Sequence, residues 1–514
     1  MYNKALNSTF TKMRHETNEG KPMNVSYSPK KAKRMADELD RPCLLPIASA
    51  IDGCEDPTKV YFSMSDGRPS YLLESAEGPG EAARYSIIGC DPLLHLSIND
   101  GAPKIEGRRD LVELAKSRVR KARCSDALDV LKEAMFLKTA HTPQAVSSRY
   151  MLGVVGYIGY DFVRSLADIG TNATDDLSHP ELEFTLPERT IIFDHLRQRT
   201  HYCSLVMLTD GSDIEKAYAR ALSNIKGLMA TKKSPPREPN VRISIRSNIE
   251  KEKFERDVEV AKEYIRAGDI IQVVLSRRIE LNPSPPLRRF YMNLKRINPS
   301  PYMFFLDFPG RSVVGSSPEI LVRVNGSNVI TRPIAGTRRR GNDKAEDKAL
   351  ERDLLSDEKE RAEHVMLVDL GRNDIGRVSE FGSVKVTDFM NIEKYSHVQH
   401  IITNVAGKMK RDKDAFDALR ATFPAGTVTG APKVRAMEII EEMEPVRRGI
   451  YAGAIGSFSY TRQADLAITI RTLVAQRGKG YIQVGAGIVA DSVPWKEHYE
   501  TENKARALLR AAGV

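Results

Sequence analysis

The sequence predicts an α+β fold, and three features support that reading. Strand-like runs follow one another directly over residues 450–489. Helix-period segments separate groups of strands instead of alternating with single strands, which argues against a doubly wound parallel sheet. At 514 residues the chain can bury a core large enough for more than one unit.

In chain order, residues 1–40 are poor in apolar residues and read as a polar, flexible extension, with Met23 a candidate second start. A first unit is expected over 41–228, with strand-like runs at 60–63, 86–88 and 190–193. Residues 229–247 (MATKKSPPREPNVRISIRS) are rich in Lys, Ser and Pro and read as a linker. A second unit fills 248–514. Within it, residues 249–267 have helical period and stop at Gly268. Residues 269–281 and 302–308 read as strands. Residues 319–324 and 328–334, joined through Asn325-Gly326, read as a hairpin. Helices are expected at 357–370, 433–443 and 494–509, and strands at 396–405, 450–460, 465–474 and 481–489. No internal repeat is present.

Lys and Arg number 78 against 68 Asp and Glu, a formal charge of +10. The basic residues are spread among acids, and no zinc-finger spacing, basic zipper or RNA-binding aromatic signature accompanies them. A mildly basic enzyme with an anionic substrate is the simpler account. The cysteines, Cys43, Cys54, Cys90, Cys124 and Cys203, form no CxxC pair and read as free thiols of a reducing cytosol. No apolar run approaches the roughly 20 residues that cross a bilayer. The N-terminus lacks a signal-peptide core, so a cytoplasmic location is expected.

The densest chemistry lies in VGAGIVADSVPWKEHYETENKA (484–505). Glycines at 485 and 487 leave room for an anion beside the backbone. Asp491 or Ser492 suits a helix cap and Pro494 the first turn. Glu497 and Glu500 then share one helix face, which fits a divalent cation such as Mg²⁺ held partly by substrate. Taken alone, paired helix glutamates are more often a solvated face. Glu363 falls on the apolar stripe of its helix, where a carboxylate must be paired, hydrogen-bonded or metal-bound. In 465–474, alternation puts Arg471 on a face with Ala467, Thr469 and Leu473, as a fork for a carboxylate or as an exposed sheet position. His400 alternates with Val398 and Ile402, as a core histidine or an acid–base group. PAGTVTGAPK (424–433) and PIAGTR (333–338) read as anion-binding loops or as ordinary turns, and neither is a P-loop.

These pieces stand in one order along the chain. With LLES (72–75), GYIGYD (156–161), DIIQVVLSRR (269–278), NPSPYMFF (298–305), GSSPE (315–319), PIAGTRRRG (333–341), AEHVMLVDLGRND (362–374), SHVQH (396–400), YAGAIG (451–456) and ITIRT (468–472), the sequence resembles the chorismate-utilising enzymes, and among them the anthranilate-forming branch. The resemblance covers roughly 41–510. It implies two large antiparallel sheets surrounded by helices, and conversion of chorismate and ammonia to anthranilate and pyruvate in tryptophan biosynthesis. It implies Mg²⁺ on Glu363 and Glu500, with Glu497 nearby. It implies chorismate contacts at Gly336, Thr337, Arg338, Tyr451, Arg471, Gly485, Ala486 and Gly487. Glu319 resembles the general acid and His400 the histidine beside the ring; Thr429 and Lys433 are further catalytic candidates. Ser75, Pro301, Tyr302 and Met303 match a tryptophan feedback site.

Two positions sort the branches. Aminodeoxychorismate synthases resemble this chain but carry lysine at the position of Ala335, and isochorismate and salicylate synthases carry lysine at that of Gln272. Alanine forms no covalent adduct and glutamine is no base near neutral pH, which favours added ammonia. No amidotransferase motif such as GxCxG is present, so the resemblance implies a partner glutamine amidotransferase subunit. The competing readings are an aminodeoxychorismate synthase component and a silent tryptophan-binding regulatory subunit.

Overall fold

Two long strands, Tyr85–Asn99 and Leu182–Asp194, organise the fold, because each is long enough to serve two sheets. They pair along their whole length with a register shift between Pro92 and Leu94, and Pro187 stands opposite Pro92. Proline cannot donate to the ladder, so the pair bends there and its halves diverge. The computed structural model describes residues 15–16, 22–23, 25–64, 70–76, 84–139, 152–230, 234–235, 237–395 and 398–514. Most of the segment before residue 25, positions 231–233 and 236 of the expected linker, and Ser396 and His397 lie outside the described residues.

One sheet runs from Cys43–Asp52 through Arg199–Leu208, the two long strands, Ser70–Glu74, Tyr302–Phe308, Arg311–Ser317, Thr472–Gln476 and Lys479–Ile488 to Gln272–Asn282. The other uses the remaining halves of the long strands. It continues through Gly153–Ile158, Ala454–Ser459, Gln463–Ile468, Ile320–Asn325 and Asn328–Thr331 to Val398–Lys408, which also pairs with Ile334–Arg339 and Lys385–Lys394. Among the described pairings within these sheets, only the short contact of Cys43–Leu44 with Lys138–Thr139 is parallel. Both sheets therefore mix strands from before and after residues 229–247, and Ser244–Ser247 is itself a strand on Gln272–Asn282.

The main core lies between the sheets, where Tyr157 packs on Phe308 and Phe184 on Phe458. A second core, with Phe290, Tyr291, Met303, Phe305 and Leu508, lies under the helices Leu287–Ile297 and Pro494–Ala512. A third, with Phe254, Val258, Ile439 and Ile440, holds Lys251–Ala267 and Lys433–Met443 over the paired strands Gln272–Asn282 and Lys479–Ile488.

Most expected elements form, for the expected reasons. Lys251–Ala267 ends at Gly268, whose φ of 82° allows its N–H to reach the Ile265 and Tyr264 carbonyls. Asp357 caps Glu358–Gly376 by accepting from the Lys359 and Glu360 amides. Residues 60–63 are not a strand; they belong to the helix Pro57–Met64, with Asp56 accepting from the Thr58 amide ahead of it. An acid–proline start outweighs a short apolar run there. The strand expected over 465–474 is broken into Gln463–Ile468 and Thr472–Gln476. Each half belongs to a different sheet, so alternation cannot run through Arg471, whose φ is 51°. Neither Asp491 nor Ser492 caps Pro494–Ala512: Val493 does so without a side-chain bond, and the Ser492 hydroxyl accepts from the Val489 amide. Residues 29–37 of the N-terminal segment form a helix capped by Ser28, with Ala32 and Ala36 buried.

Candidate active site

The break at Arg471 brings this residue against the turn that carries Glu319. The Arg471 carbonyl accepts from the Ser316 amide at 3.2 Å, and the Glu319 carbonyl from the Ile468 amide at 3.0 Å. Glu319 is buried at 7 % exposure. Burial pushes its carboxyl up to about 8, against the opposing influence of the Thr427 hydroxyl, the Ile334 backbone and the charges of Arg471 and Lys504, so it is protonated near neutral pH. The Thr427 hydroxyl lies close to it, without a hydrogen bond of ordinary geometry. Among the described residues the Arg471 guanidinium has one hydrogen bond, to Asn298 Oδ1 at 3.4 Å. Burial lowers its pKa while Glu319 opposes that shift. A desolvated fork with so little protein bonding suits an arriving carboxylate.

His400 lies on Val398–Lys408 opposite Thr337. The register shifts between Ala335 and Thr337 because Gly336, at φ 64°, forms a bulge; a Cβ there would meet Leu354 Cδ1 at 2.9 Å. The bulge turns the Gly336 carbonyl to 3.1 Å from His400 Nδ1, and the Thr337 hydroxyl to 3.0 Å. A carbonyl only accepts, so Nδ1 carries the proton and Nε2 the lone pair. Burial lowers His400 to about 4, which keeps it neutral.

Two helices supply carboxylates. Burial raises Glu363, and the like charges of Glu360 and Glu500 raise it further. Burial and Glu500 also raise Glu497. Lys504 pairs with Glu500 at 2.7 Å and donates to the Gly485 carbonyl at 2.8 Å, tying this helix to the glycine strand. No group of three or more His, Cys, Asp or Glu among the described residues is arranged to hold a metal unaided. Mutually repelling carboxylates on separate helices nonetheless fit Mg²⁺, which is commonly held by one or two carboxylates.

The remaining candidates divide. Gly485, Ala486 and Gly487 lie in the ladder with Ser276, Leu275 and Val274. A Cβ on Gly485 would stand 2.8 Å from the Tyr451 hydroxyl, and one on Gly487 2.5 Å from the Gln272 amide, so both positions are tightly packed. Tyr451 thus joins the site, its hydroxyl pushed up to about 12 by burial. Arg338 is turned to Asp353, Asp357 and Glu360 at 2.6, 2.9 and 3.1 Å. Lys433 is paired with Asp374 at 2.7 Å, and the buried Thr429 hydroxyl is bonded to the Ala425 carbonyl. At the expected inhibitor site Ser75 donates to the Pro301 carbonyl at 2.6 Å. Tyr302 and Met303 face opposite ways: the Tyr302 hydroxyl meets Asp465 and Arg323, while Met303 packs in the second core. Thr427, Lys504 and Asn298 were missed; only Lys504 had a signal, its spacing of one turn from Glu500.

Against this geometry, residues 69–510 match the family model described as chorismate binding enzyme. The chain belongs to that family. Among its relatives, anthranilate synthase component 1 of Acetivibrio thermocellus is 46% identical over 471 residues, spanning 89% of this chain and 92% of that protein. That of Aquifex aeolicus (strain VF5) is 42% identical over 503 residues, 96% and 99% of the two chains. The crystal structure of anthranilate synthase component I from Streptococcus pneumoniae TIGR4 matches with a TM-score of 0.70 and 37% identity, over 84% of this chain and 93% of that one. The menaquinone-specific isochorismate synthase of Escherichia coli shares the fold, with a TM-score of 0.66 at 18% identity. No helix among the described residues is long and apolar enough to cross a membrane.

Proposed function

We propose that this chain is the chorismate-converting subunit of an anthranilate synthase, a Mg²⁺-dependent carbon–oxygen lyase. The observation that carries the reading is the pairing of a buried, protonated Glu319 with an under-bonded Arg471 beside a neutral His400. Such a set binds a dianionic substrate and delivers one proton. Arg471 takes the enolpyruvyl carboxylate and Tyr451 borders it. Glu363 and Glu500 would hold magnesium on the ring carboxylate, where it withdraws charge as a Lewis acid. Holding both carboxylates fixes the ring for attack.

Ammonia adds at C2 as the C4–oxygen bond breaks, and Glu319 gives its proton so that the hydroxyl leaves as water. Loss of the C2 proton and of pyruvate then yields the aromatic product. Ala335 is buried at 8 % exposure and offers no amine, which supports free ammonia over a covalent lysine adduct. A separate glutamine amidotransferase supplies that ammonia, consistent with relatives named as a component 1. Tryptophan bound near Ser75 and Pro301 inhibits. The assay is the purified chain with chorismate, Mg²⁺ and an ammonium salt. Anthranilate and pyruvate in equal amounts, abolished by chelator, are expected. Chorismate consumed without either product overturns the reading.

A further inference from the structure

Glu319 starts each cycle protonated and ends it ionised, so a buried acid needs a route for its next proton. A cavity of about 30 Å³ lies against it, lined also by Thr427, Gly426, Leu370, Gly371 and Asp374. That volume accommodates a water molecule, and water needs two or more polar partners to stay. Three residues that line it carry such groups: the Glu319 carboxyl, the Asp374 carboxylate, and the Thr427 hydroxyl, which is buried close to Glu319 without a hydrogen bond of ordinary geometry. Arg471, His400 and Tyr451 do not line this space. It is bordered by the half-buried Asp374, whose side chain keeps 14% exposure and which Lys433 holds at 2.7 Å while also donating to the Thr422 carbonyl at 3.2 Å. The tight approach of the helix Glu358–Gly376 is built in, because a Cβ on Gly426 would lie 1.9 Å from Leu370 Cδ2.

We infer that water in this cavity returns protons to Glu319 from Asp374, with Thr427 orienting it. The inference rests on the proposed role of Glu319 as general acid. In the step, the Asp374 carboxylate takes a proton from solvent; its O–H bond then breaks toward the water's oxygen as a water O–H bond breaks toward the Glu319 carboxylate, which leaves Asp374 ionised and paired with Lys433 again. Atoms and charge balance with no further reactant. Arg471 and Lys504 face Glu319 and favour its ionised form, while Lys433 and Arg377 do the same for Asp374. Asp374 and Thr427 are therefore positioning residues for the acid, and Lys433 is the clamp on Asp374.

The test compares single with multiple turnover. Enzyme in excess over chorismate uses only the resident proton, so Asp374→Asn is expected to keep the single-turnover rate within about twofold. Its steady-state kcat is expected to fall at least tenfold, with kcat/KM for chorismate unchanged, KM lowered in proportion, and a larger solvent deuterium isotope effect on kcat. Thr427→Val is expected to lower steady-state kcat, and Thr427→Ser, which restores the hydroxyl, to recover it. Equal loss in both regimes, or no loss in either, overturns the relay. Full turnover in Glu319→Gln overturns the underlying general-acid assignment instead, so the two failures are distinguishable.

Discussion

Two arginines, Arg448 buried and Arg471 half-buried, behave in opposite ways. Arg448, at 3 % exposure, forms a two-point pair with Glu444 at 2.9 and 2.6 Å. It also donates to the Val428 and Val274 carbonyls at 2.7 Å each, and its guanidinium lies over the Tyr160 and Tyr451 rings. Glu444 in turn accepts from the Ser276 amide and hydroxyl. Among the described residues Arg471 has a single long bond, and Glu319 faces it without an ion pair. A buried charge whose bonds are complete holds structure together. One whose bonds are left open is held ready for something that arrives. The same contrast separates Arg338, closed on three carboxylates, from Glu363 and Glu497, which repel their neighbours.

The largest effect is expected where bonds are complete. Arg448→Met leaves Glu444 buried and unpaired and should cost about 3–5 kcal/mol of stability, measured by denaturant unfolding. A cost below about 1 kcal/mol would erase the contrast. Next, Glu363→Gln removes an open carboxylate and Glu500→Gln one held only by Lys504. Each should raise the Mg²⁺ concentration for half-maximal activity at least about tenfold without lowering the melting temperature, and should weaken Mn²⁺ binding followed by electron paramagnetic resonance. Retained cation affinity would reassign the metal site.

The pH response sharpens the comparison further. Turnover should decline as pH rises through about 8, where Glu319 loses its proton. Stability should fall in the other direction. Burial holds His179 near 3 and His201, His364 and His400 near 4, whereas the unfolded chain protonates them near 6.5. The unfolded state therefore binds more protons below 6.5, and stability is lost as pH drops from there toward 4. The smallest effect is expected from Arg338→Ala, whose side chain is 23% exposed: at most about 1 kcal/mol, with KM for chorismate unchanged. A raised KM would return Arg338 to the substrate site.

Elements with their own punctuation were legible in the sequence. Gly268 ended its helix, the hairpin formed with its turn one residue later than read, at Gly326-Ser327, and the helix 433–443 was read with both ends correct. Residues 60–63 and 465–474 were misread because short apolar runs suit either structure, and period alone cannot register a strand that changes sheets. In the site, Glu319, His400 and Arg471 stand together as expected. The threonine that faces Glu319 is Thr427 and not Thr429, since two residues of a turn point wherever its backbone sends them. The ion pairs that close on Arg338 and Lys433 were not legible, because a sequence does not show which acids will fold against a base.

The central claim is that open buried charges serve reactivity at the expense of stability, and Glu319→Gln tests it most directly. Melting temperature and chorismate turnover should be measured on the same preparation. The account predicts turnover down by about 10²–10⁴ with a melting temperature equal to or above that of the unaltered chain. Turnover retained, or a melting temperature lowered by several degrees, would contradict it.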